Sequence, residues 1–159
     1  MIETTGLKTR SGLTFTTDVA GPADGPLVLL LHGFPESRHS WREALPALAS
    51  TGFRAVAPDQ RGYSPGARPA PADLANYAFD KLIDDAIEIA AAAGHADKRF
   101  HLVGHDWGGQ VSWGVAGKYP DRLASLTILS RPHPSSFRRA LLNEAGDQKH
   151  RSRHHRAFL

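Results

Sequence analysis

Short apolar runs alternate along this chain with longer amphipathic stretches. Around Ser11-Gly12, apolar and polar residues alternate with a period of two, which predicts an antiparallel hairpin in residues 2–19. Later apolar runs are continuous and predict strands buried on both faces, as in a parallel sheet. The stretches between them have the period of helices that cover such a sheet. These strand-like runs lie at residues 27–31, 53–57, 100–103 and 123–129.

The clearest helical pattern covers residues 73–93 and ends at Gly94, a common residue just after a helix. Its apolar rows predict one buried face. The acidic residues between those rows predict a solvated face rather than a metal site. These acidic residues are Asp80, Asp84, Asp85 and Glu88. A further amphipathic helix is expected near residue 137, with Ser136 as its N-cap.

The charge of the chain is unevenly distributed. The 159 residues carry a formal net charge of +3, but residues 137–159 hold six Lys/Arg and two Asp/Glu, a local net charge of +4. The rest of the chain is therefore close to neutral. A nucleic-acid-binding domain would present its basic residues on a folded face, so we expect no nucleic-acid partner. The length itself predicts one domain.

The composition excludes several other classes of site. Cysteine is absent, so disulfides, thiol nucleophiles and thiolate metal sites are excluded. His101 and His105 share one side of a predicted strand but lack a third ligand, so no metal or other cofactor is expected. The longest apolar run, residues 27–31, is too short to span a membrane, and the N-terminus lacks an apolar signal region. We therefore expect a cytoplasmic protein without membrane contact.

One stretch combines strand, turn and helix signals in 17 residues, from Phe100 to Ala116. Its centre has the spacing Gly104-x-Asp106-x-Gly108, which is the nucleophile-elbow pattern with Asp in place of Ser. Glycines fit a strained turn whose backbone passes too close for a Cβ atom. By itself the pattern also fits an aspartate that serves only as a helix N-cap. It lacks the Lys-Ser/Thr ending of a phosphate loop.

Three motifs in order resemble the α/β-hydrolase superfamily, in its epoxide hydrolase and haloalkane dehalogenase branch. They are HGFPES at residues 32–37, DQRGYS at 59–64 and GHDWGG at 104–109. The resemblance implies the N-terminal part of an α/β-hydrolase fold: a mostly parallel sheet with helices on both faces, starting with an antiparallel hairpin. It makes Asp106 the nucleophile and assigns an oxyanion hole to the backbone N–H groups of Phe34 and Trp107. The residues expected to shape this site are His32, Gly33, Pro35, Gly104, His105, Gly108 and Gly109.

The resemblance also implies a two-step hydrolysis of a small-molecule substrate. An aspartate, with a reference pKa of about 3.9, is ionised at neutral pH and needs no base to attack an sp³ carbon. The resulting ester is then hydrolysed by water, activated by a histidine. The substrate is an epoxide or an alkyl halide. HGFPES and DQRGYS favour the epoxide, and the Trp107 indole suits either. A non-catalytic binding module is the third alternative.

The resemblance covers nearly the whole chain but only about half of a family member. The catalytic histidine, its acid and the cap tyrosines of the family have no match here. His133, His150, His154 and His155 therefore receive no role. We expect residues 1–135 to form the N-terminal portion of the core and residues 136–159 to be a basic segment that begins a cap domain. A chain truncated in this way would be incomplete for turnover.

Two structural expectations follow from the same resemblance. The HGFP loop is expected to contain a cis Phe34–Pro35 peptide bond, with the Phe34 N–H turned towards Asp106. The strand at residues 123–129 would lie between two others in the family, but here it would form an unprotected edge. We therefore expect the chain to associate with itself through that edge.

Overall fold

The computed structural model describes residues 1–143 and 145–153. In this part of the chain, six strands form one sheet. The strands are β1 (Glu3–Lys8), β2 (Thr14–Ala20), β3 (Leu27–Leu31), β4 (Arg54–Pro58), β5 (Phe100–His105) and β6 (Leu123–Leu129). The sheet order is β1-β2-β4-β3-β5-β6, so β1 and β6 form its two edges.

The sheet combines an antiparallel start with a parallel centre. Strand β1 pairs antiparallel with β2, and β2 pairs antiparallel with β4. Strand β3 is parallel to both β4 and β5, and β5 is parallel to β6. The predicted hairpin and the predicted parallel strands are both confirmed. The prediction that residues 123–129 are buried on both faces is wrong: only Leu123 of β6 is buried, because β6 is the outer strand of the described sheet. All five residues of β3 are buried, as expected for a strand covered on both faces.

Helices cover both faces of the sheet. They are α1 (Ala44–Ser50), α2 (Phe79–Ala90), α3 (Trp107–Lys118), α4 (Pro134–Leu142) and α5 (Gln148–Arg151). One apolar layer packs α1 and the short 3₁₀ helix Arg38–Trp41 against the sheet through Trp41 and Leu45. The other packs α2 and α3 through Ile83 and Val115, among others. The predicted α/β architecture is therefore confirmed.

The region predicted as one helix over residues 73–93 is divided. A 3₁₀ turn at Leu74–Tyr77 precedes α2, and a wider turn at Ala91–His95 follows it. Gly94 adopts a φ of 91°, which explains why the helix ends there. The prediction that Asp85 faces solvent is wrong. Asp85 is buried and forms a two-point ion pair with Arg61, with contacts of 2.7 and 2.6 Å.

The end of the described chain forms two short helices. Helix α4 begins at Pro134 with His133 before it, so the prediction of Ser136 as N-cap is wrong. Proline fits the first turn of a helix because it lacks the N–H that would be unpaired there. The expected boundary between residues 135 and 136 lies inside α4, and that division stays a prediction. His154 and His155 lie outside the described residues. Within the described residues, no helix is long and apolar enough to cross a membrane.

Candidate functional site

Three loops meet where the parallel strands end. Strand β3 leads into the loop that contains His32 and Phe34, β5 leads into Asp106, and β6 leads into Ser130. Because β3, β5 and β6 are parallel, their carboxyl ends lie at the same edge of the sheet. Ligands of open α/β sheets bind at such edges.

Asp106 occupies a strained turn between β5 and α3. Its φ of 48° and ψ of −110° are unusual for a residue with a side chain. The Asp106 N–H donates to the Leu129 carbonyl at 3.1 Å, which ties the turn to the end of β6. The predicted sharp turn is confirmed, and it presents the Asp106 side chain at the N-terminus of α3.

Close backbone packing explains the glycines around this turn. The Gly108 N–H donates to the His32 carbonyl at 3.0 Å, and a Cβ atom on Gly108 would collide with the carbonyls of Leu31 and His32. A Cβ on Gly104 would collide with the Gly108 carbonyl in turn. A Cβ on Gly109 would lie 2.9 Å from the Cβ of Arg131. The elbow therefore fits against β3 and β6 only with small residues.

The HGFP loop places a donor directly on Asp106. The Phe34–Pro35 peptide bond is cis, and the Phe34 N–H donates to Asp106 Oδ1 at 3.0 Å. Both features agree with the sequence-based expectation. A Cβ atom on Gly33 would lie 2.8 Å from the Cβ of Asp106, so the loop and the turn are in close contact. The first carboxylate oxygen of Asp106 is thereby fixed.

The second oxygen of Asp106 is differently placed. In the described part of the chain, no hydrogen bond reaches Oδ2 of Asp106. Trp107 is the first residue of α3, where N–H groups lack a helical acceptor. Its N–H is available beside Asp106, although it forms no hydrogen bond to the carboxylate here. The role of Trp107 in an oxyanion hole stays a prediction.

His32 is a buried support of the loop. Its Nε2 accepts a hydrogen bond from the Gln60 N–H at 3.1 Å, so Nδ1 carries the proton and donates to the Gly33 carbonyl at 2.9 Å. Burial lowers the pKa of His32 and so favours the neutral ring. This agrees with the sequence-based interpretation of His32 as a loop histidine bonded to backbone. Since both ring nitrogens are engaged, His32 is not a general base.

Glu36 links the two loops, and sequence reasoning assigned it no role. Its Oε2 accepts hydrogen bonds from the Gly33 N–H at 3.1 Å and from His105 Nδ1 at 3.0 Å. Burial alone would raise the pKa of Glu36, but the bonds from Gly33 and His105 outweigh it and lower that pKa. The signal was present in the sequence, because Glu36 lies inside the HGFPES motif.

Aromatic side chains surround the carboxylate. Phe34 is 60% exposed and Trp107 is 39% exposed, and Phe79 of α2 contacts Trp107 edge-on with 6.4 Å between ring centres. Burial, followed by the charges of Asp106 and Glu36, raises the pKa of Tyr63, which keeps its hydroxyl neutral. The site thus places the Asp106 carboxyl group beside an apolar surface.

A cavity of about 450 Å³ opens on the other side of Asp106. Its walls include Ser130 and Arg131 after β6, Phe137 of α4 and Arg151 of α5. This volume accommodates a small organic molecule. Within the described residues, no group of three or more His, Asp or Glu side chains could hold a metal ion.

Comparison with known proteins agrees with the fold described above. A family model described as "alpha/beta hydrolase fold" matches residues 26–150. The AB hydrolase superfamily protein YfhM of Bacillus subtilis is 40% identical over 124 residues, which are 78% of this chain and 42% of that protein. Epoxide hydrolase 4 of Mus musculus is 43% identical over 132 residues, which are 83% of this chain and 35% of that protein.

A solved structure shares the fold as well. It belongs to a study of novel epoxide hydrolases of the alpha/beta hydrolase superfamily from metagenomes of hot environments. It superposes with a TM-score of 0.77 at 36% identity, over 91% of this chain and 47% of that one. The chain therefore spans less than half the length of each of these three similar proteins.

Proposed function

The chain belongs to the α/β-hydrolase fold family, and from this premise we propose that Asp106 is the nucleophile of an epoxide hydrolase-like site. The relatives named as epoxide hydrolases support an epoxide as the substrate class. The observation that carries the proposal is the hydrogen bond of 3.0 Å from the Phe34 N–H to Asp106 Oδ1. This bond gives the two carboxylate oxygens of Asp106 different surroundings. The proposed reaction uses the two oxygens differently, because Oδ2 attacks carbon and Oδ1 later carries negative charge.

In the first step, Oδ2 of Asp106 attacks a carbon of the epoxide ring. A carbon–oxygen bond forms, the ring carbon–oxygen bond breaks, and the released oxygen takes a proton from solvent. The product is an ester between Asp106 and a hydroxyalkyl group. The carboxylate is anionic beforehand, so no general base takes part in this step. Phe34 and Trp107 provide an apolar surface for the rest of the substrate.

In the second step, water attacks the carboxyl carbon of Asp106. The water loses a proton, and negative charge develops on Oδ1, the oxygen that already accepts the Phe34 N–H. The bond between the carboxyl carbon and Oδ2 then breaks, Oδ2 leaves with a proton as a hydroxyl group of the diol, and the oxygen from water restores the carboxylate. A donor that is in place before the charge develops stabilises the transition state without reorganisation. We assign the N–H of Trp107 as the second donor, because it lies at the N-terminus of α3 without a helical acceptor.

The base for the second step is not assigned to a described histidine. His32 is buried with both nitrogens engaged, His105 bonds to Glu36 through Nδ1, and His133 packs against Trp113 with 4.7 Å between ring centres. We therefore propose that this chain alone forms the ester faster than it hydrolyses it. Expected behaviour is one slow alkylation per molecule, followed by still slower release of the diol.

Two substrates test the choice between epoxide and alkyl halide. The purified chain is incubated with styrene oxide or with 1-bromobutane at equal concentration, and the covalent adduct is followed by intact-mass spectrometry. Faster adduct formation with styrene oxide supports the proposal. Faster adduct formation with 1-bromobutane, accompanied by bromide release, would indicate the dehalogenase reaction instead. The absence of an adduct with both would favour a non-catalytic binding module.

A further inference from the structure

One cation on the wall of the cavity beside Asp106 forms no ion pair with any described residue. Arg131 follows β6 and lines the cavity together with Asp106. Its Nε donates to the neutral amide oxygen of Gln110 at 2.9 Å. Within residues 1–143 and 145–153, Arg131 forms no ion pair, and its two terminal nitrogens donate no hydrogen bond to the protein. The guanidinium group therefore keeps donors and a full charge for a ligand.

Arg131 is held in place by α3. The Trp113 indole N–H donates to the Arg131 carbonyl at 3.4 Å, and Gln110 bonds the side chain. The absence of a side chain on Gly109 leaves room for the Arg131 Cβ. Since α3 also begins at the Asp106 turn, one helix fixes both the carboxylate and the guanidinium. A held guanidinium loses less conformational entropy when it binds a ligand.

The other charges on the cavity wall do not replace Arg131. Arg151 also lines the cavity, but its Nε pairs with Asp147 at 2.7 Å, so that pair is close to neutral. Asp106 supplies one negative charge. An anionic substrate approaching Asp106 would be repelled by this carboxylate unless a cation accompanies it. Arg131 provides that cation, and its planar guanidinium group can bind a carboxylate through two parallel hydrogen bonds.

We propose that Arg131 determines substrate specificity by binding a carboxylate carried on the epoxide, so that the preferred substrates are epoxy acids. This inference rests on the proposed function of Asp106. The carboxylate of the substrate would lie against Arg131 in the cavity, while the epoxide carbon faces Oδ2 of Asp106. The reaction is the ester formation described above, and the carboxylate is unchanged by it.

The test compares glycidate with glycidamide, which share a carbon skeleton but differ in charge. Rate constants for adduct formation are measured by intact-mass spectrometry, and comparing the ratio of the two rate constants between wild type and variant cancels the different intrinsic reactivities of the two epoxides. A hydrogen-bonded charge corresponds to about a tenfold effect or more. We expect Arg131→Gln to lower the glycidate-to-glycidamide ratio about tenfold and Arg131→Lys to lower it less. Arg138→Gln, the same charge change on α4 outside the cavity wall, leaves the ratio unchanged.

A binding measurement separates this inference from the proposed chemistry. Lactate and lactamide are unreactive analogues, and their binding is followed through the NMR signal of the Gln110 side-chain amide. Lactate binding that is lost in Arg131→Gln supports the cation site even if no epoxide reacts with Asp106. Equal binding of lactate and lactamide, or a rate ratio unchanged in Arg131→Gln, overturns the inference. A loss of rate with both epoxides alike would show that Arg131 acts on Asp106 rather than on the substrate.

Discussion

Phe34 and Asp106 are separated by 72 residues, yet the backbone N–H of Phe34 donates to Oδ1 of Asp106 at 3.0 Å. The contact joins the loop after β3 to the turn after β5. It gives the two carboxylate oxygens different surroundings before any substrate arrives. The proposed reaction uses this difference, because one oxygen attacks carbon and the other carries the later negative charge.

Because the elbow is tightly packed, a glycine-to-alanine substitution should change the unfolding free energy in opposite directions at two positions of α3. In Gly108→Ala the new methyl group would collide with the carbonyls of Leu31 and His32, so we expect a loss of about 1–3 kcal/mol in unfolding free energy. In Gly117→Ala the methyl group meets no atom within 4 Å, so we expect a gain of about 0.5–1 kcal/mol. Urea unfolding measures both. Destabilisation of similar size at both positions would contradict the packing described here.

Replacing either of two neighbouring aspartates of α2 by alanine should lower the unfolding free energy, but by different amounts. Asp85 is buried against Arg61, so Asp85→Ala leaves a buried guanidinium without its anion and should cost about 3 kcal/mol. Asp84 bonds Lys118 and Tyr119 at the surface, so Asp84→Ala should cost much less. Urea unfolding of both variants checks this difference. A similar loss for both would mean that the Arg61–Asp85 pair does not hold the loop to α2.

Glu36 should make stability depend on pH. Hydrogen bonds from Gly33 and His105 lower the pKa of Glu36 below its ordinary value of 4.5 in the folded chain. A lowered folded pKa stabilises the fold above the unfolded value, and this contribution is lost as the pH falls through the folded pKa. Glu36→Gln should therefore be less stable than the wild type at pH 7, with the difference vanishing in acid.

The matched control for this measurement is Glu43→Gln, because the Glu43 side chain is 91% exposed. Urea unfolding of both variants and of the wild type is recorded at pH 7, 5 and 3. If Glu36→Gln lowers the unfolding free energy by the same amount at all three pH values, the hydrogen bonds of Glu36 do not depend on its charge.

The outer strand β6 predicts association of the purified chain. Within the described residues, β6 pairs only with β5, and its seven residues include no charged side chain. Edges without lysine or proline are prone to pair with other chains. We expect dimers or larger species in light scattering at micromolar concentration, reduced by Thr127→Lys. Ser50→Lys on α1 is the matched control. A monomer at all concentrations would disprove this prediction.

The sequence was sufficient for features that depend on local pattern. The parallel strands were predicted because their residues are apolar on both faces, and the Asp106 turn because glycines flank it at fixed spacing. The direction of the Phe34 N–H followed from motifs rather than from pattern alone. These features are encoded by residues near one another in the chain or by a family resemblance.

Other features depend on partners that are distant in sequence. Asp85 was expected to face solvent because helical periodicity treats every aspartate as polar surface, and its partner Arg61 lies 24 residues earlier. Glu36 and His105 are 69 residues apart and meet only because β3 and β5 are neighbours. Arg131 had no sequence signal at all, since its importance comes from the cavity and from Gln110.

The proposal that Asp106 is the nucleophile that an epoxide alkylates is tested most directly by locating the adduct. The purified chain is treated with styrene oxide, digested and analysed by peptide mass spectrometry, beside Asp106→Ala and the control Asp24→Ala in an exposed turn. We predict one added styrene oxide on the peptide that contains Asp106, in the wild type and in Asp24→Ala, and none in Asp106→Ala. An unmodified Asp106 peptide, or an adduct that persists in Asp106→Ala, would contradict the account.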